Sequence, residues 1–183
     1  MIIGNDIIDL KIALAKPRIR NIRFLSKIFS EKEISQLAKQ DNPELSIWKI
    51  WAMKETAYKA HQRIFQFTAR FDPLSYICDL NELHIKKDAA IYDIKIDQDK
   101  EHLYAWLATE PIDHIKIPYS SDYWNDFTRQ FCHRTGIELE DIKIYKNKFG
   151  IPELAFNNNS TRLPVSITHH GRFAAVCFPL INC

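Results

Sequence analysis

Hydrophobic and polar positions change rhythm partway along the chain. Met1–Ile3 reads as a short strand turning at Gly4-Asn5, and Asp6–Leu10 continues it or starts a helix. Lys11–Phe29 is helical in part and broken at Pro17. Ser30, with Glu33 three residues on, is a capping-box start to a helix reaching about Gln40. Asn42 and Pro43 suit the N-cap and first position of a further helix, to about Gln62. Ile47, Trp48, Ile50, Trp51, Ala57, Tyr58 and Ala60 leave that helix little polar circumference, so it should lie buried at the centre.

Beyond it, short runs rich in β-formers take over: Leu74–Leu80, Leu83–Lys86, Ala90–Ile96 and His102–Ala108. Asp97–Glu101 suits a hairpin loop. Tyr119–Thr135 has helical spacing, closed by Gly136. Ile142–Lys146 and Pro164–Phe178 are strand-like, with a turn at Lys148–Pro152 and a polar loop at Asn157–Thr161. The expected class is α+β, with antiparallel sheet in the second part.

Composition narrows the function classes. The length, 183 residues, suits one domain able to bury a core. With 26% charged and 12% aromatic residues, the chain is not mostly disordered. No apolar run spans a membrane. Two aspartates interrupt the apolar opening and no basic segment precedes it, so it reads as part of the fold rather than as a signal peptide. A net charge of +2 argues against a dedicated nucleic-acid binder. The four cysteines form no CxxC pair, which suits reduced thiols in the cytoplasm. Only four glycines occur, and neither GxGxxG nor GxxxxGK[ST] is present. Phosphate chemistry would have to rest on side chains and a metal.

Three places carry that chemistry. Glu55 and Lys59, four apart, share a helix face with Trp51 one turn earlier. On spacing alone the plainer reading is a solvated ion pair worth about 0.3–0.5 kcal/mol. Asp6, at a strand end, is placed to hold a cation such as Mg²⁺ or to cap a turn, and spacing does not show whether it meets Glu55. Ser166, Thr168, His169 and His170 supply hydroxyls and imidazoles at a strand end, as phosphate donors or as surface polar groups.

Taken together these segments resemble the 4′-phosphopantetheinyl transferases. Gly4-Asn5-Asp6-Ile7-Ile8-Asp9 resembles that family's G-[IV]-D opening, and Arg23-Phe24-Leu25 through Ser30 and Glu33 its RF…[ST]…E segment. Trp51-Ala52-Met53-Lys54-Glu55-Thr56-Ala57-Tyr58-Lys59-Ala60 matches W-x-x-K-E-[AS]-x-x-K-A. Gly150-Ile151-Pro152 is similar to its G-[KR]-P turn, and Ser166–His170 to its [SN]-[IL]-S-H-S strand end. The order of these segments is that of the short holo-(acyl-carrier-protein) synthases, with an extra β-rich stretch at about 64–140.

The resemblance implies an antiparallel sheet packed on the helix carrying WxxKExxxK. It implies an enzyme that moves the phosphopantetheine arm of coenzyme A to a serine of an acyl or peptidyl carrier protein, as in fatty-acid or polyketide synthesis. Adenosine 3′,5′-bisphosphate is the leaving group. Asp6 and Glu55 would hold Mg²⁺, and Asp6, Glu55 and Lys59 would be the catalytic set. Lys54, Lys59, Pro152, Thr168 and His169 would contact coenzyme A. Asp9 is a further ligand candidate. Ile151 stands where the family has a basic residue, leaving Lys146, Lys148 or Arg162 as substitutes, and His170 replaces the second Ser. Arg18, Arg20, Arg23 and Lys27 match the region that docks the acidic carrier protein. Short-type relatives build the site between subunits, so a homo-oligomer, a trimer first, is expected; the added sheet could favour a dimer or monomer. A non-catalytic carrier-binding homologue is the alternative.

Overall fold

The computed structural model describes residues 2–107, 111–138, 142–156 and 159–180. Strand β1 (Asn5–Asp9) runs into a short helical turn, α1 (Leu10–Ala13), capped by the Asp9 carboxylate. Two short helices follow, α2 (Ile22–Ile28) and α3 (Glu31–Leu37). Ser30 and Glu33 make the expected reciprocal capping box on α3. Helix α4 (Pro43–Phe65) starts as expected, with Asn42 accepting from the Leu45 amide and Pro43 in the first turn. It continues three residues past the expected Gln62 and ends on Gln66 in the left-handed region.

A turn of 3₁₀ helix at Pro73–Ser75 precedes β2 (Ile77–Asp79), so the strand expected over Leu74–Leu80 is shorter. Pro73 fixes a helical φ and removes an amide, which favours the turn. Strands β3 (His84–Lys87), β4 (Ala90–Gln98) and β5 (His102–Leu107) lie on the expected runs, but β4 extends through Asp97 and Gln98, which shortens the expected hairpin loop, and Ala108 lies outside the described residues. Next come β6 (Ile112–Pro118) and α5 (Tyr123–Thr135). β6 was not anticipated, and the helix starts at Tyr123 instead of the expected Tyr119, whose amide donates to the Arg172 carbonyl beyond the end of β6. Gly136 closes α5 at φ +69, as the sequence suggested. The C-terminal part holds β7 (Ile142–Lys146), β8 (Pro152–Phe156), β9 (Asn159–Pro164), β10 (Ser166–His170) and β11 (Phe173–Pro179). Of the expected loop at Asn157–Thr161, residues 157–158 lie outside the described residues and the remainder begins β9.

Among the described residues the strands form three antiparallel sheets, ordered β1-β5-β4-β3-β2, β10-β11-β6 and β7-β8-β9. Helix α4 packs on the five-stranded sheet. Its Ile50, Met53, Ala57 and Ala60 meet Ile8, Ile85, Ile94, Leu103 and Ala105 in the main core. A second core gathers Phe127 and Phe131 of α5 with Ile115, Val176, Phe178 and Leu154. Ile7, Tyr104 and Ala175 form a third, smaller cluster where β1 lies beside β10 and β11. No helix among the described residues is long and apolar enough to cross a membrane.

Gly4 precedes the strand instead of turning it, for a packing reason. A Cβ there would stand 2.3 Å from the Thr56 carbonyl oxygen, so only glycine lets β1 lie this close to α4.

Candidate active site

β1 pairs with β5 along one edge. Along its other edge, side chains of β10 meet its amides. The Ile7 amide donates to Thr168 Oγ1 at 3.4 Å, and the Asp9 amide to His170 Nδ1 at 2.9 Å. Thr168 and His170, two apart, share a face of β10, and Ile7 and Asp9 share the spacing on β1. An exposed strand edge is thereby closed by side-chain acceptors.

This contact delivers Thr168 to Asp6, where its hydroxyl donates to Oδ1 at 2.6 Å. Lys59 Nζ reaches the same carboxylate oxygen at 3.5 Å and donates to the Asn5 carbonyl at 2.9 Å. The second oxygen, Asp6 Oδ2, is buried and accepts no hydrogen bond from the described residues. A buried carboxylate oxygen without a donor is costly unless a ligand completes it.

Glu55 stands one helical turn before Lys59, half-buried. Burial pushes its pKa up to about 7; the Lys59 ammonium opposes the rise and the Asp6 charge adds to it. Asp6 and Glu55 thus feel each other's charge across a site whose nearest cation is Lys59. Two carboxylates with an unfilled oxygen suit a hard cation such as Mg²⁺, which takes one or two protein carboxylates and fills its octahedron with water and phosphate. No group of three or more metal-ligating side chains occurs among the described residues.

The other expected residues divide. Lys54 is the main correction. It is fully buried, and its ammonium donates to the Ile28 carbonyl at 2.8 Å, Glu33 Oε2 at 2.8 Å and the Pro73 carbonyl at 3.0 Å. With its donors spent inside the core, it has none to offer coenzyme A. Glu33 also accepts from Ser30 and from the Cys78 amide, so this ion pair ties α2, α3, α4 and β2 together. Asp9 is likewise committed. It is fully buried and accepts from the Lys11 amide, the Arg172 amide and the Arg172 guanidinium at 2.8 and 2.9 Å. Those bonds to Arg172 hold its carboxyl well below the usual carboxylate range. Asp9 is a structural anchor and not a spare metal ligand. His169 points to the other face of β10, exposed and stacked on Tyr119 with ring centroids 4.4 Å apart.

Lys59 and Pro152 meet in one cleft of about 300 Å³, between the C-terminal half of α4, Tyr123 at the start of α5, the β7–β8 turn and the start of β10. Two residues overlooked in the sequence build its wall. Arg63 Nη2 donates to the Pro152 and Val165 carbonyls at 2.9 and 2.6 Å. Gln62 Nε2 donates to the Phe149 carbonyl at 3.2 Å. Arg63 lies four residues after Lys59, so helical spacing was the signal that could have found it.

Residues 2–111 match the 4′-phosphopantetheinyl transferase superfamily. The chain belongs to that family. Its members are transferases that use coenzyme A as substrate and act on carrier proteins. The phosphopantetheinyl transferase match takes in β1 and all of α4, and therefore Asp6, Glu55 and Lys59. β10, which brings Thr168, lies beyond it. Comparison with curated proteins and with solved structures gives no match.

Proposed function

We propose that this chain is a Mg²⁺-dependent enzyme that transfers the 4′-phosphopantetheine arm of coenzyme A to a serine of an apo acyl or peptidyl carrier protein, releasing adenosine 3′,5′-bisphosphate. The observation that carries this reading is the meeting of Asp6, Glu55 and Lys59, with Asp6 Oδ2 buried and unpartnered. Asp6 and Glu55 would hold the Mg²⁺, which when bound would offset charge on the diphosphate. Thr168 and Lys59 both engage Asp6 Oδ1, which leaves Oδ2 as the oxygen a metal would take. Lys59 neutralises the diphosphate and the departing phosphate.

The carrier serine oxygen forms the new bond to the phosphorus bearing the pantetheine arm. The bond from that phosphorus to the bridging oxygen breaks, and adenosine 3′,5′-bisphosphate leaves with the electron pair. Glu55, directly or through a water, takes the serine proton. Arg20, Arg23 and Lys27 are exposed beside the exposed Ile22, a basic face suited to an acidic carrier.

The Thr168–Asp6 bond is made within one chain, so the elements that short-type relatives join across subunits already meet here. That supports a complete site per chain, within a single cytoplasmic unit of residues 1–183, in place of the trimer that motif order suggested. The test is release of adenosine 3′,5′-bisphosphate in the presence of coenzyme A, an apo carrier protein and Mg²⁺. Turnover should stop with a chelator and return with Mg²⁺; turnover unaffected by chelation contradicts the metal role.

A further inference from the structure

The cleft beside Lys59 is also lined by Arg63, whose Nη2 is engaged by two carbonyls, and the Gly150–Pro152 turn adds no charge to it. Ile151 in that turn is 2% exposed, directed into the protein. Three basic residues lie near it. Lys148 extends over the Phe149 ring, 5.0 Å from its centroid, and Arg162 over the Tyr145 ring at 4.4 Å. Of the three, Lys146 alone lines the cleft, on β7 directly opposite Pro152 in the strand register. It is exposed and has no ion-pair partner among the described residues, so its charge is free for a ligand. Among the described residues the cleft lining contains no carboxylate.

We propose that Lys146 binds the 3′-phosphate of coenzyme A and so sets the preference for coenzyme A over its 3′-dephospho form. The inference rests on the proposed transferase reading. Coenzyme A carries three phosphoryl groups. Two form the diphosphate, which that reading assigns to Asp6, Glu55 and Lys59. The third sits on the ribose, and Lys146, exposed in the same lining as Lys59, has no ion-pair partner among the described residues. Tyr123, lining the same cleft, offers a ring beside the nucleoside.

Steady-state kinetics with coenzyme A and 3′-dephospho-coenzyme A, on wild type and Lys146→Ala, test this. In the variant KM for coenzyme A should rise about ten-fold or more, as for loss of a charge-assisted hydrogen bond, with little change in kcat. KM for the dephospho form should stay at the wild-type value. Lys146→Arg should restore most of the preference, and Lys148→Ala should leave both substrates unaffected. An equal rise for both substrates, or no rise for either, overturns the assignment. Absence of transfer by the wild-type chain overturns the transferase reading itself, a different outcome from either.

Discussion

The Thr168 hydroxyl donates to Asp6 Oδ1 at 2.6 Å, so a residue near the C-terminus orients a carboxylate on the first strand. The two are 162 positions apart in sequence, and the contact joins the part of the chain that matches the family to the part that does not.

Loss of this donor leaves the Asp6 carboxylate free to rotate out of the orientation it holds here. Thr168→Val should lower kcat/KM by about ten-fold, the scale of one hydrogen bond to a charged group, while Thr168→Ser retains activity. Circular dichroism should show both variants folded. Activity per chain should also stay constant on dilution, because the site closes within a single chain.

Breaking a buried ion pair strands a charge in the core. Lys54→Ala or Glu33→Ala should destabilise the fold by about 3–5 kcal/mol, read as the denaturant midpoint at unchanged slope. Lys54→Met keeps the stem's volume but leaves Glu33 unpaired, so it should also destabilise. Were Lys54 a coenzyme A ligand, Lys54→Ala would instead raise KM at unchanged stability.

Much of this division between site and scaffold was beyond the sequence. The helix carrying Trp51, Glu55 and Lys59 was legible because its caps and apolar faces are local signals, and Asn42, Pro43 and Ser30 act as their spacing says. The Asp6–Glu55–Lys59 cluster was legible through motif resemblance, since nothing in spacing says that β1 lies beside α4. Lys54 and Glu55 are neighbours in the same motif, yet one faces the core and the other the site. Successive helix positions lie about 100° apart, and which side is core is decided by the packing of α2, α3 and the Pro73 turn. His170 could not be assigned either. Its acceptor role exists because β1 has a free edge, a fact of topology. β6 escaped notice because its alternation is confined to Ile115-Lys116-Ile117, too short a run to separate it from a loop.

Asp9 links the first strand to the β10–β11 turn through Arg172. Its carboxyl titrates below the unfolded value, so the folded state favours the ionised form. That stabilisation is fully present above the unfolded pKa of about 4 and is lost as pH falls below it. Asp9→Asn should therefore lower stability at neutral pH and flatten the acid limb of a melting-temperature profile. A variant with an unchanged acid limb contradicts the role given to the Arg172 bonds.

Gly4 permits the approach of β1 to α4 that brings Asp6 to Glu55. Gly4→Ala would drive a Cβ toward the Thr56 carbonyl, and overpacking of this kind costs about 1–3 kcal/mol. Activity should fall together with the melting temperature, since separating the two elements pulls the carboxylates apart.

The central claim is tested most directly by mass spectrometry of an apo carrier protein incubated with coenzyme A, Mg²⁺ and the enzyme. Wild type should add the mass of one phosphopantetheine group to the acceptor serine. Asp6→Asn and Glu55→Gln, folded as judged by circular dichroism, should each slow the addition by about a hundred-fold or more. No addition by wild type, or full-rate addition by both variants, would contradict the account.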